Sequence, residues 1–388
     1  MRNGEFIKTI WRLQYAGRWY DKAPKFKDNS ANHSFRVALF TLIASLIENK
    51  MFNGKIDVEK AVCRAIFHDI NETVTTSINH FTKKNPEIED IIKKFERETS
   101  EKIINLLSSS LRPYFYDYLV NAEDDSAEGR MVDAMDTFDS YLFCLRERQN
   151  GSSYYFRGKA EELEKRLREY GIKTVDWFLK QIEDKTEMEE FIGFVMNLQS
   201  VVRWAGKSST IHDNDAMHTF RVSALAIWCG YIEKVKYGKE VDFLRLAGKC
   251  LCHDLVEAMT GDILGPIKHS SKENSEAFER YERSMNEYMV KLLPNCIQEE
   301  FTDYLVNAKD NTYEGDLVDV ADKLDAIIKS LLELKRNKEE YMESYQLQLR
   351  SLQEKRTNPS VIFFLAYPIH DLMHSTIIYD SEDIRLMP

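Results

Sequence analysis

Two histidine–aspartate dipeptides, His68-Asp69 and His253-Asp254, stand out in a chain that holds only nine histidines. Each has a further histidine at the same distance upstream, His33 and His218. Each is followed by three aspartates spaced three apart: Asp133, Asp136 and Asp139, then Asp319, Asp322 and Asp325. Imidazole mixed with carboxylate suits divalent first-row ions such as Mn, Fe, Co or Zn, with Mg also accommodated. Four such ligands on a six-coordinate ion leave positions for water and a substrate oxygen, which is what a hydrolase needs. A single His-Asp pair arises by chance, but repetition of the whole spacing does not. Spacing alone leaves the aspartate open, because i and i+3 share a helix face and the outer two serve equally as solvated residues or as partners of a ligand.

Other candidates are less specific. Arg18 and Arg203 offer a guanidinium fork for a phosphate, or a surface ion pair. Glu72 and Glu257 lie four residues past the histidine and three past the aspartate, on the ligands' helix face. They are suited to orienting water or giving a proton to a leaving oxygen. Trp19 and Trp204, taken alone, read as core rings. Cys250-Leu-Cys252 has the look of half a metal clip, but no second pair follows and its flanks read as helix core.

These residues recur because the chain is an internal duplication. HSFRVAL from His33 returns as HTFRVSAL from His218, HDINETVT from His68 as HDLVEAMT from His253, and Arg18-Trp19 as Arg203-Trp204. The offset is about 185 residues throughout, drifting by one where YLVNAEDDSAEGRMVDAMD returns as YLVNAKDNTYEGDLVDVAD. A register held this long marks two copies of one globular domain, too long a period for a solenoid. We read residues 1–184 as copy one and 185–388 as copy two. No long Gly/Pro linker separates them, so the copies are expected to pack together.

The elements that position the candidates read as helices. Gly and Pro make up about 6% of the 388 residues, half the usual share, which disfavours a sandwich or barrel. From His33, the apolar residues Val37, Phe40, Ile43, Ala44 and Ile47 follow helical spacing. Asp57 and Asp242 stand where an N-cap belongs, before the runs that end in His-Asp. Asn85-Pro86 is expected to open a helix with charges alternating along a solvated face, and another is expected over 131–148. A charged helix is expected to end near Gly171, and Asn358-Pro359 to mark a comparable stop.

The formal net charge of −11 argues against a stable nucleic-acid partner, whose binding needs clustered Lys and Arg. It leaves a small phosphorylated substrate open, because a local cation overrides the global sign. No apolar run is long enough for a membrane span; Val222 to Ile232 reads as a buried helix. Six cysteines without a secretion signal point to reduced thiols in the cytoplasm.

The set Arg203-Trp204, His218, His253-Asp254, Glu257, Thr260-Gly261-Asp262, Pro266-Ile267-Lys268 and Ala321-Asp322 resembles the HD superfamily of metal-dependent phosphohydrolases. Within it, the match is to the YfbR-like 5′-deoxynucleotidases, over nearly the whole chain, twice. The resemblance implies an all-α fold made of two tandem HD-domain copies, each holding one divalent transition metal. It implies Asp322, and by register Asp136, as the last ligand, with Lys83 and Lys268 at the substrate. It also implies removal of the 5′-phosphate from deoxynucleoside monophosphates, with Trp19 or Trp204 beside the sugar, where a ring excludes a 2′-hydroxyl. Family members generally work as homodimers, so either an intramolecular pseudo-dimer or a true homodimer is expected. Copy two carries the complete motif. In copy one Ser77 stands for Asp262, Thr76 for Gly261 and Phe81 for Pro266, which makes copy two the expected main catalytic site. The same ligands also serve dNTP triphosphohydrolases and other HD nucleotide phosphohydrolases, and a nucleotide-binding regulator with one vestigial site is a further reading.

Overall fold

A computed structural model describes residues 3–83, 85–151, 154–263, 265–268 and 270–374. Among them the regular structure is almost wholly helical; the one strand pair joins Gly17–Arg18 to Asp28–Asn29. Copy two keeps only the bridge between Val202 and Asn214, at the same register.

Three helices in each copy carry the site. In copy one the central helix is Ser30–Phe52, opened by Asn29, whose side chain accepts from the Asn32 N–H. Residues 30–47 are all buried, because this helix is packed on every side and shows no solvent face. Asp57 caps Val58–Phe67 by accepting from Lys60 N, as expected, and Ser126 caps Ala127–Gln149. Copy two repeats the set as Asp215–Tyr237, Phe243–Cys252 and Tyr313–Leu334, capped by Asn214, Asp242 and Thr312. The run Val222–Ile232 lies inside the first of these, fully buried. Near the third helix of each copy the chain packs so closely that a Cβ on Gly129 or Gly315 would lie 2.3 Å from Asp124 or Asp310.

The copies are joined tightly. Lys173–Asp184 ends at Lys185 (φ 52°), and Thr186 leads directly into Glu187–Asn197. The last helix of each copy packs on the first helix of the other: Lys173–Asp184 on Glu187–Asn197, and Pro368–His374 on Asn3–Arg12. The two central helices also meet face to face.

Two expectations need adjusting. The helix placed at Asn85-Pro86 starts at Glu89, after a turn in which the Asn85 side chain accepts from Glu87 N at 2.9 Å. Asn competes for backbone donors in this way and delays propagation. Asn358-Pro359 both follows one helix and opens the next, with Pro359 at the first helical position of Pro359–Ala366. Cys250 and Cys252 are fully buried in helix, and all six cysteines are free. Among the described residues no helix is long and apolar enough to cross a membrane.

Candidate active site

In copy one the central helix presents His33, the Val58–Phe67 helix ends on His68 and Asp69, and the third helix supplies Asp136. His33 Nε2 lies 3.0 Å from Asp136 Oδ1 and 3.5 Å from Asp69 Oδ2, which is also 3.5 Å from His68 Nε2. Copy two reproduces the cluster. His218 Nε2 is 3.3 Å from both Asp254 Oδ2 and Asp322 Oδ1, and 3.3 Å from His253 Nε2. All eight residues expected as ligands therefore converge in two groups of four.

The far side of each ring fixes its orientation. His33 Nδ1 donates to Asp139 Oδ2 at 2.6 Å, and His68 Nδ1 donates to the Ala65 carbonyl at 2.8 Å. The counterparts are His218 to Asp325 at 2.7 Å and His253 to the Cys250 carbonyl at 2.7 Å. With Nδ1 committed as donor, a neutral ring turns an Nε2 lone pair into the cluster. His33 Nε2 and His68 Nε2 are buried without a hydrogen-bond partner. Two inward lone pairs beside two carboxylates fit a divalent ion, since such buried atoms otherwise go unsatisfied at a cost. Burial and the Arg18 charge push the His33 imidazole down, but Asp136 and Asp139 outweigh them and raise it to about 9.

The aspartate trio thus divides by role. Asp136 and Asp322 face the cluster, while Asp139 and Asp325 are buried behind it. Asp133 and Asp319 point away, to Arg166 and to Lys323 and Lys355.

Arg18 stands over the cluster, with Nη1 3.3 Å from Asp69 Oδ2 and Nη2 3.3 Å from Ser140 Oγ. Arg203 contacts Asp254 at 3.2 Å and Asp215 at 3.0 Å. Trp19 (φ 61°) and Trp204 (φ 62°) both sit in the left-handed region, a conformation side-chain-bearing residues adopt at a cost. Trp19 is half-buried and stacks on Phe143 with ring centroids 5.6 Å apart. A cavity of about 180 Å³ opens between Arg18, Trp19, Asp69, Asp136, Lys83 and Tyr155. It combines cations with aromatic walls.

Glu72 is buried in this wall and accepts from the Ser30 hydroxyl. Burial and the neighbouring Asp69 raise its carboxyl to about 7. Burial, Asp254 and Asp215 raise Glu257 further, to about 10. Lys83 pairs with Glu96 at 2.9 Å, and Lys268 with Glu282 at 2.6 Å. Asp262 is half-buried beyond Gly261 and, among the described residues, is not one of the carboxylates that converge on the ligands. The backbone of the two loops is alike: Thr76 has φ 57° and ψ 170°, Gly261 has φ 71° and ψ 162°. The side chains of Phe81 and Pro266 lie outside the described residues.

Sequence reasoning missed the layer behind the histidines. Buried Arg36 donates to Asp139 through Nε and Nη2 and to Asp28 at 2.8 Å; buried Arg221 does the same with Asp325 and Asp213. The last acceptor comes from the opposite copy. Gln199 accepts from Arg36 Nη1, and Gln14 accepts from Arg221 Nη1 at 3.0 Å. The signal was present: both arginines lie inside the repeated H-x-F-R segments, and Gln14/Gln199 and Asp28/Asp213 keep the same offset.

The profile of the YfbR-like 5′-deoxynucleotidase family matches residues 5–186 and again 190–372. A 5′-deoxynucleotidase from Vibrio cholerae is 29% identical over 192 residues, covering 48% of this chain and 97% of the relative. One from Photorhabdus temperata is 29% identical over 175 residues, covering 45% and 88%. Among solved structures, an HD-domain phosphohydrolase from Listeria innocua is 26% identical with a TM-score of 0.45, covering 52% of this chain and 99% of that one. Two family matches in tandem, on a helical fold with a His-Asp cluster in each half, place this chain in the YfbR-like 5′-deoxynucleotidase family as a hydrolase of the HD phosphohydrolase type.

Proposed function

We propose that the chain removes the 5′-phosphate from deoxynucleoside monophosphates, with copies spanning residues 1–184 and 185–388. The observation that carries this reading is the convergence of the buried Nε2 atoms of His33 and His68 on Asp69 and Asp136, beside Arg18 at the mouth of the Trp19 cavity. His33, His68, Asp69 and Asp136 would hold a divalent transition ion, as would His218, His253, Asp254 and Asp322. Such an ion supplies Lewis acidity toward phosphoryl oxygens and lowers the pKa of water.

The remaining work falls to the protein. Arg18 is a fork aimed at the space beside the ligands and grips the phosphate dianion there, as Arg203 would in copy two. Lys83, and Lys268 by register, place a second positive charge at the rim. Water attacks phosphorus, the P–O5′ bond breaks, and the leaving oxygen takes a proton. Glu72 is placed to give that proton, because its raised carboxyl still carries one near neutral pH. Glu257 has the same place in copy two, with Asp262 as its additional carboxylate. The Trp19 ring, stacked on Phe143, is the wall that would exclude a ribose 2′-hydroxyl; Trp204 is its counterpart. The free thiols fit a cytoplasmic enzyme. The crosswise glutamines support an intramolecular version of a dimer interface.

The test is phosphate release from deoxy- and ribonucleoside mono-, di- and triphosphates, with Mn, Co, Mg and Zn each supplied. Selective turnover of deoxynucleoside monophosphates is expected. Release of tripolyphosphate from triphosphates would overturn the assignment, as would tight nucleotide binding without turnover under any metal.

A further inference from the structure

The two copies keep the same four ligands but balance their charge differently. In copy two Lys309 Nζ donates to Asp322 Oδ2 at 2.6 Å. An ammonium bonded to a ligand oxygen uses one of its lone pairs and repels an incoming dication. By register, copy one has Glu123 in that place, with its carboxylate within 4.8 Å of ligand atoms from Asp133 and Asp136. A cationic side chain in one copy is thus replaced by an acidic one in the other, beside the same aspartate.

The arginine is treated in a parallel way. Arg203 Nη1 is 3.0 Å from Asp215 Oδ1, a fully buried carboxylate. Copy one has Ser30 there, whose hydroxyl turns to Glu72 instead. Arg18 Nη2 lies 3.3 Å from the neutral Ser140 hydroxyl, where copy two has Ala326, and 3.7 Å from Asp136 Oδ1, and its Nε is buried without a partner. Asp215 thus adds to Arg203 Nη1 a carboxylate that Ser30 does not add to Arg18. The 180 Å³ cavity also opens on the copy-one ligands.

We infer that copy one is the tight ion site and the working centre, while in copy two Lys309 and Asp215 stand in for ion and phosphate and weaken binding of both. This rests on the phosphohydrolase reading above, and it reverses the expectation drawn from the complete motif around Asp262. An outer partner of a metal ligand typically shifts ion affinity by about 10- to 100-fold, and that is the difference expected between the copies.

The test titrates metal-free full-length protein with Mn(II) and follows the free ion by its electron paramagnetic resonance signal. One tight ion per chain is expected, with the second weaker by about tenfold or more. Asp69→Asn should lose the tight ion and Asp254→Asn should keep it. Lys309→Glu changes a side chain that is 36% exposed, so circular dichroism should show an intact fold, and a second tight ion should appear. Parallel measurements of dAMP hydrolysis should fall with Asp69→Asn far more than with Asp254→Asn. Two equal ions in the unaltered chain, loss of the tight ion in Asp254→Asn, or an unchanged second affinity in Lys309→Glu would each overturn the inference. No Mn(II) bound by either copy would bring down the metal-dependent reading itself, whereas two equal ions bring down the asymmetry alone.

Discussion

Gln199 belongs to copy two by sequence but completes the arrangement behind a copy-one ligand, so replacing it by leucine tests whether the copies depend on each other. Arg36 is fully buried, with its Nε on Asp139, its Nη2 shared between Asp28 and Asp139, and its Nη1 on Gln199 and, at 3.3 Å, on Asp28. Gln199→Leu keeps the volume but removes the best acceptor for Nη1. A hydrogen bond to a charged group is worth about 1.5–3 kcal/mol, and the remaining Asp28 contact is long, so a loss of about 2 kcal/mol is expected. Gln14→Leu should cost a similar amount through Arg221. The two glutamines share no partner, so the double variant should lose about 4 kcal/mol by addition. Reversible urea unfolding followed by circular dichroism measures this as a lower midpoint at unchanged slope. The same substitution loosens Asp139, which orients His33, so ion binding to copy one should weaken although the altered residue lies in copy two. A Gln199→Leu protein that unfolds within about 0.5 kcal/mol of the unaltered chain would refute the reasoning, and so would unchanged ion binding at copy one.

Further outcomes follow from single residues. Glu72→Gln cannot release a proton to the leaving oxygen, so phosphate release from dAMP should fall by about 100-fold or more with ion binding retained; a fall below tenfold would remove Glu72 from that role. Thr76→Gly relieves a residue held at φ 57° and ψ 170°, a region that costs about 1–3 kcal/mol for a non-glycine. After the entropy penalty of glycine, a gain of about 1 kcal/mol in unfolding free energy is expected, and a loss of stability would contradict it. Ion affinity should depend on pH. The His33 imidazole is raised to about 9 in the metal-free fold, so its proton adds stability to that form at low pH and is lost as pH rises through 9. An ion must displace this proton, so Mn(II) should bind more tightly by up to about tenfold per unit between pH 6.5 and 9. A flat profile would show that His33 ligates without losing a proton.

The proposed ligands were legible as a set because they are tied to caps and periodicity that repeat. His68 and Asp69 stand at the end of a helix whose start, Asp57, is also visible, so their place on the element follows from local signals. Asp136 needed the family resemblance, because three aspartates at helical spacing differ only in what faces them across the fold. The Arg36–Asp139–Gln199 arrangement was hidden for the same reason: Arg36 lies more than 100 residues from each of its two partners, and the members come from both copies. Lys309 and Asp215 were visible as departures from the repeat, but a departure carries no meaning until its side chain is seen on Asp322 or Arg203.

Joining two copies in one chain changes which substitutions are possible. In a homodimer every substitution occurs in both sites at once, so an ammonium beside the last aspartate would compromise each of them. In a tandem chain the positions separate, and Glu123 with Ser30 can persist in one site while Lys309 with Asp215 fills the other. Among the residues that have not separated are those the pairing itself requires. Gln14 and Gln199, Arg36 and Arg221, Asp139 and Asp325 are identical across the repeat, because each buried guanidinium takes its last acceptor from the opposite copy. A copy two that had lost catalysis would still be held to its fold by this requirement, since its Gln199 completes the support of His33. Identity of this supporting layer in copy two is therefore compatible with one working site, and the Mn(II) titration separates retained structure from retained chemistry.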